Sequence, residues 1–322
     1  MSGPEKLRDP RFERVVDGLL DSYVSVGGIN HIEGHNLPSL AQVVEVLEQL
    51  ETLLFPGYFE RERLDHRNVR YLIGERSAHV YRCLSEEIAK SLEHTARCET
   101  AGDLVDERTA RAQAEAITLE LLEELPSIRR ILHEDALAAV EGDPAARSIV
   151  EVLLAYPSVR AIGIHRVAHF LHRRRVPLIP RMMSEHVHGK TGIDIHPGAS
   201  IGPGLFIDHG TGVVIGETAV LGTRCKIYQG VTIGALSVEK HGEATWTPVK
   251  RHPTLEDHVT VYAGATILGG RTVIGAGSVV GGNVWLTKSI PPGTKVQIEP
   301  PYLLYRGSSG GSPVREPIDY QI

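Results

Sequence analysis

Asp208 and His209 stand side by side in "IDHGTGVVIGET", a stretch of a longer run in which aliphatic residues return every six positions. From Ile207 the next aliphatic in phase is Ile215, eight positions on rather than six, so the pattern loses its step where the two ionisable side chains fall. Neighbours on a strand point to opposite faces, and a local bulge is expected here that re-aims one of the pair. Fifteen residues before His209, "IDIHPG" supplies Asp194, nearly one coil of the repeat away. Stacking on adjacent coils would bring Asp194 within hydrogen-bond reach of His209. A carboxylate so placed fixes the imidazole tautomer and raises its basicity, as a general base requires. Singly, Asp194, His196, Asp208 and His209 also suit turns that bond local backbone. Together, at a broken period and with the basic pair Arg251 and His252 of "KRHPT" nearby, they favour chemistry.

The elements that position these residues follow from the period. The phase runs through Ile201 and Ile207, then Ile215, Leu221, Ile227 and Ile233, then Leu255, Val261 and Ile267, then Ile274, Val280 and Leu286. A hexapeptide repeat marks a parallel β-helix whose inward aliphatics form one continuous core. Three hexads make a coil of about 18 residues, so the run from Ile193 to Leu286 holds about five coils. Ala219 and Cys225 are small enough for corners, which makes Cys225 packed wall rather than nucleophile. Between Ile233 and Leu255, "GALSVEKHGEATWTPVKRHPT" drops the pattern and is expected to protrude as a loop, carrying Trp246.

Upstream, apolar residues recur at helical spacing: Leu40, Val43, Val44, Leu47 and Leu50 form one stripe, Tyr81, Leu84, Ile88 and Leu92 another. Ser39 and Gln42 have the spacing of a reciprocal capping box. Asp143 before Pro144 has the form of a helix N-cap with proline in the first turn. The fold class is therefore α+β: a helical region over residues 1–190, a β-helix over 191–290, and a tail over 291–322 in which "GSSGGSP" forms a flexible tether before "IDYQI". A net charge of −6 without a block of like charge leaves no footprint for nucleic acid or an anionic membrane. Nowhere do eighteen apolar residues run together, and the N-terminus lacks a signal-peptide core, so a cytoplasmic protein is expected. Cys83, Cys98 and Cys225 are odd in number and far apart, which suits reduced thiols.

The blocks "DIHPGASIG", "DHGTGVVIGETA", "QGVTIGA" and "KRHPTLEDHV" resemble the signature segments of serine O-acetyltransferases, acyltransferases of the left-handed β-helix class. "EGDPAARSIVEVLLAYPSVRAIGIHRVAHFLH" is similar to the helical segment that precedes their β-helix, and "INHIEGHNLPS" with "LLFPGYF" resembles the long bacterial branch. The resemblance implies acetyl transfer from acetyl-CoA to the hydroxyl of L-serine, the first step of cysteine biosynthesis, with no permanently bound cofactor and no metal. It makes His209 the general base and Asp194 its orienting carboxylate. It sets Asp143 and Asp208 on the serine ammonium, Arg251 and His252 on its carboxylate, and Ala263 beside acetyl-CoA. It further implies trimers or hexamers with sites shared between copies, inhibition by L-cysteine, and a C-terminal Ile322 that docks into O-acetylserine sulfhydrylase. Two departures stand out: the loop before Arg251 is longer and less glycine-rich than in the best-known members, and Arg147 stands where many relatives are acidic. Alternatives left open are transfer to another hydroxyl, such as that of homoserine or a sugar, a zinc lyase using His196, His209, His252 and His258, and a protein that only binds through its tail.

Overall fold

The computed structural model describes residues 9–32, 34, 37–60, 63–99, 106–236, 249–299, 302–305 and 314–317. Trp246 with most of the expected loop, the "GSSGGSP" tether and Ile322 lie outside the described residues. The chain divides into two compact units, Met1–Asn36 and Leu37–Ile322. In the first, helix α1 (Pro10–Ser25) opens at Asp9, whose carboxylate accepts the Arg11 amide, with Pro10 where a missing N–H costs nothing.

Among the described residues the second unit begins with six helices: α2 (Leu40–Leu54), α3 (Val69–Glu99), α4 (Glu107–Gly142), α5 (Ile149–Ala155), α6 (Pro157–Arg173) and α7 (Ile179–Thr191). On α2 the buried stripe is Val43, Val46, Leu47, Leu50 and Leu54, while Leu40 is exposed. Ser39 caps this helix through the Gln42 amide, but the reciprocal half of the capping box is absent. Gln42 turns its side chain to Glu45, and the Ser39 amide donates instead to Glu87 of α3 at 2.5 Å, so a tertiary neighbour closes the cap. Between α4 and α6, Arg166 donates to both oxygens of Asp135 at 2.8 Å and to the carbonyls of Ile201 and Gly202 at 2.9 Å. Asp135 also accepts the Leu205 amide at 2.9 Å. This buried, fully bonded pair ties the helices to the first coil of the β-helix, and removing either partner would strand a charge at a cost of about 3–5 kcal/mol.

The β-helix consists of three parallel sheets visited in turn. Sheet I contains β1 (Asp194–Ile195), β4 (Val214–Ile215), β7 (Thr232–Gly234), β10 (Thr266–Leu268) and β13 (Trp285–Leu286). Sheet II contains β2 (Ser200–Ile201), β5 (Val220–Leu221), β8 (Thr254–Leu255) and β11 (Val273–Ile274). Sheet III contains β3 (Phe206–Asp208), β6 (Lys226–Tyr228), β9 (Thr260–Val261), β12 (Val279–Val280) and β14 (Lys295–Val296). The in-phase aliphatics stack coil on coil, as in Ile207 on Ile227 on Val261 on Val280. Ala219 and Cys225 are buried at corners, and burial pushes the Cys225 thiol up to about 11, which suits wall rather than nucleophile.

The register corrects one expectation. Asp194 pairs with Val214, twenty positions on, so fifteen residues fall short of a coil and His209 does not stack on Asp194. Further on, β15 (Tyr302–Tyr305) and β16 (Val314–Pro317) pair antiparallel on either side of the tether segment.

Candidate active site

The corner that joins sheet III to sheet I carries His209. In the second coil, Tyr228 and Thr232 are four steps apart; the aligned residues of the first coil, Asp208 and Val214, are six. The two extra residues widen the corner rather than bulging a strand. His209 sits at φ +58°, followed by Gly210 at +75° and Gly212 at +79°. The left-handed region penalises a side chain, so His209 is held there by its surroundings. The Gly210 amide donates to Asp208 O at 2.7 Å, the Thr211 amide to His209 O at 3.0 Å, and the Gly212 amide to Gly192 O at 2.8 Å. The imidazole stands clear, 70% exposed, with Nε2 3.8 Å from Asp208 Oδ1.

Asp208 is itself nearly buried, and Lys226 Nζ lies 3.9 Å from its other oxygen. Lys226 also donates to the Gly142 carbonyl at 2.5 Å and lies over the rings of Phe206 and Tyr228. The lysine thus joins the C-terminal end of α4, where a cation is favoured, to the coil that bears His209. That helix end delivers Asp143. It is the C-cap of α4, not the N-cap expected from the proline that follows, and α5 is capped by Ser148 instead. Tyr156 donates to the Asp143 carboxylate at 2.5 Å and the Ala145 amide at 2.8 Å, and these bonds hold Asp143 below the usual carboxylate range. The same bond pushes the Tyr156 hydroxyl up to about 12. Arg147 is exposed next door, its amide donating to Glu151.

A groove of about 730 Å³ runs from His209 along this corner, past Gln229 and Ala263 to Asn283 and Lys295. Tyr228 and Tyr262 form part of its wall, stacked with ring centroids 4.9 Å apart. His209 and Ala263 are therefore brought together by stacking, one on the first coil and the other on the third.

The corner that joins sheet I to sheet II carries Arg251 and His252, just before β8. Arg251 Nη2 bonds Glu217 at 2.7 Å, and both residues lean on Thr218, whose hydroxyl accepts the amides of Arg251 at 2.9 Å and His252 at 3.0 Å. His252 is buried, and burial with the charges of Arg251 and Lys250 brings it down to about 4. On the same corner His196 is brought down to about 3, by burial first and then by Arg181, His172 and His252. Both rings stay neutral near pH 7.

Asp194 belongs to neither group. Its carboxylate lies with Glu185 and His188 of α7, all three ligand atoms within 4.8 Å of one another, and no hydrogen bond or ion pair joins it to His209. Among the described residues this trio is the one group of three that could hold a metal, and His196, His209, His252 and His258 are not in it. Tyr156, Lys226, Glu217 and Thr218 were missed from the sequence. Thr218 and Glu217 stood within the quoted "GETA", two and one positions from a corner glycine, which was the available signal; Lys226 had none beyond facing outward on its strand.

No family model matches the chain. A protein of Synechococcus elongatus named serine acetyltransferase, plasmid, is 45% identical over 264 residues, 80% of this chain and 81% of that protein. A second protein of that organism, named serine acetyltransferase, is 50% identical over 135 residues, 42% of this chain but only 52% of its own length. Among solved structures, serine acetyltransferase 1 of Entamoeba histolytica in complex with L-cysteine superposes with a TM-score of 0.66 at 35% identity, covering 78% of this chain and 86% of that one. The isoform 3 enzyme of the same organism, also in complex with cysteine, gives 0.68 at 33% identity, covering 92% and 95%. The helical region followed by a left-handed parallel β-helix is the fold of these neighbours.

Proposed function

The chain belongs to the serine acetyltransferase family, and from that premise we propose that it transfers the acetyl group of acetyl-CoA to the hydroxyl of L-serine, giving O-acetyl-L-serine and CoA. The observation that carries this reading is His209, exposed at one end of a groove that also contains Ala263. A thioester laid along the groove reaches the imidazole with its carbonyl. His209 takes the hydroxyl proton as the serine oxygen attacks that carbonyl; the carbon–sulfur bond then breaks and the leaving sulfur receives the proton. Asp143 and Asp208 meet the ammonium, and Arg251 with His252 meets the carboxylate, a charge arrangement suited to a zwitterion.

In one chain the two charge groups occupy opposite edges of sheet I, and no hydrogen bond or ion pair links them. Closed cyclic symmetry brings the His209 edge of one copy against the Arg251 edge of the next, and a trimer satisfies all three. L-Cysteine carries the same ammonium and carboxylate and competes at the same groups. The protein acts in the cytoplasm in the first step from serine to cysteine, and Ile322 docks into O-acetylserine sulfhydrylase. No described helix is long and apolar enough to cross a membrane. The test follows thiol release from acetyl-CoA with serine, homoserine or a sugar as acceptor, with and without cysteine. Serine is expected to be preferred and cysteine to compete with it; absence of serine-dependent release would sink the reading.

A further inference from the structure

Thr218 is placed to decide what His252 can recognise. Its Oγ lies 2.9 Å from the Arg251 nitrogen, 3.0 Å from the His252 backbone nitrogen and 2.8 Å from His252 Nδ1. A hydroxyl offers two lone pairs and one hydrogen. Backbone amides only donate, so the two of them occupy the lone pairs, and the hydrogen goes to Nδ1. The Thr218 amide points at that same ring nitrogen from 3.0 Å. Two donors converge on Nδ1, which therefore carries no proton. The ring's proton is on Nε2, and an imidazolium, protonated on both nitrogens, does not fit this setting.

The other edge of the ring has no hydrogen-bond partner among the described residues. Among the described residues the buried side-chain nitrogens and oxygens without a partner are Ser85 Oγ and His165 Nδ1. His252 Nε2 has no hydrogen-bond partner among the described residues and is not one of these, so it keeps some exposed surface. Gly216 makes room for this edge: a Cβ there would lie 2.1 Å from both Cδ2 and Nε2 of His252.

We infer that Thr218 is the positioning residue of the carboxylate half-site, fixing His252 as a one-way donor through Nε2 and setting Arg251 beside it through the paired backbone amides. The inference rests on the reading that Arg251 and His252 receive the carboxylate of serine. A neutral donor and a guanidinium accept an anionic, hydrogen-free group, and they discriminate against an amino alcohol such as serinol, which brings a hydroxyl in place of the carboxylate.

Thr218→Val keeps the shape and removes the hydroxyl, whereas Thr218→Ser restores it. Long-range proton–nitrogen NMR of the imidazoles should find His252 Nδ1 unprotonated in the wild type and in Thr218→Ser, and a mixture of tautomers in Thr218→Val. In steady-state kinetics Thr218→Val should raise KM for serine about tenfold and narrow the preference for serine over serinol, with kcat and the KM for acetyl-CoA changed less than about threefold. Thr218→Ser should stay within about threefold of wild type throughout. A merely structural role would lower Tm without moving the ring nitrogen signals. A wild-type proton on Nδ1, or a Thr218→Val enzyme with wild-type KM for serine, overturns the inference. If Thr218→Val does not fold, the wild-type spectrum and Thr218→Ser decide alone. A wild type that releases no CoA with serine defeats the functional reading instead, and the tautomer is still decided by NMR.

Discussion

His209 and His252 are both imidazoles at corners of one solenoid, and the two corners treat them in opposite ways. His209 stands on a corner widened by two residues, 70% exposed, with a carboxylate oxygen 3.8 Å from Nε2. His252 is buried, receives two donors from Thr218 at one nitrogen, and is brought down to about 4 by burial and its cationic neighbours. Exposure leaves a ring open to a substrate hydroxyl; burial among donors makes the same ring a fixed donor. The first corner suits a base and the second suits recognition.

The largest effect expected from this contrast is the loss of the base. His209→Ala should lower kcat by about a thousandfold, within the usual range for a general base, and leave the unfolding temperature nearly unchanged because the side chain is exposed. His252→Ala should act mainly on KM for serine, and steady-state rates would break the contrast if both variants behaved alike.

Mixing sharpens it further. If each site takes His209 from one copy and Arg251 from the next, co-assembly of inactive His209→Ala and Arg251→Ala subunits should restore about a quarter of wild-type activity by random pairing. No recovery after mixed refolding would put both groups on one copy.

A smaller effect is expected from Gly216→Ala, since the added Cβ overlaps the His252 ring. A loss of about 1–3 kcal/mol in denaturant unfolding is expected for such overpacking, together with a raised KM for serine. Wild-type stability would show that the ring is not held where it is found.

The contrast also bears on stability through pH. His196 and His252 are brought down to about 3 and about 4, from an ordinary value near 6.5. Between about pH 6.5 and 4 the unfolded chain binds protons that the folded chain refuses, so stability falls as pH falls through this window and flattens below the folded values. Thermal unfolding across pH 4 to 7 checks this, and His252→Asn should flatten part of the slope.

The solenoid was legible in the sequence because each inward aliphatic reports a position on a repeating track, and Ile207, Ile227, Val261 and Val280 stack as their spacing required. The site was legible only as residue types. The six-residue step does not say how long a corner is, and the first coil takes twenty residues where the next takes eighteen, Val214 pairing with Thr232. Fifteen residues is short of either length, so Asp194 stacks on Val214 and not on His209. Asp143 was misread because the Asp-Pro pair is common to helix starts and turns, and only the chain before it, still helical to Gly142, decides between them. Glu87 closing the cap of Ser39 was out of reach altogether, because the two are joined by packing and not by any local pattern.

The widened corner at His209 says something about how such a molecule acquires chemistry. Two residues are added and, by Val214, the stack is back in register with Thr232 above it. A solenoid forgets an insertion within one side of one coil, because each coil reads only its neighbours. Any corner is therefore a slot where a reactive group could be mounted without renegotiating the core, and the position of a slot along the axis sets how far its occupant stands from the groove. On such a scaffold, activity could be relocated by moving a short insert from one coil to another while the wall stays as it is.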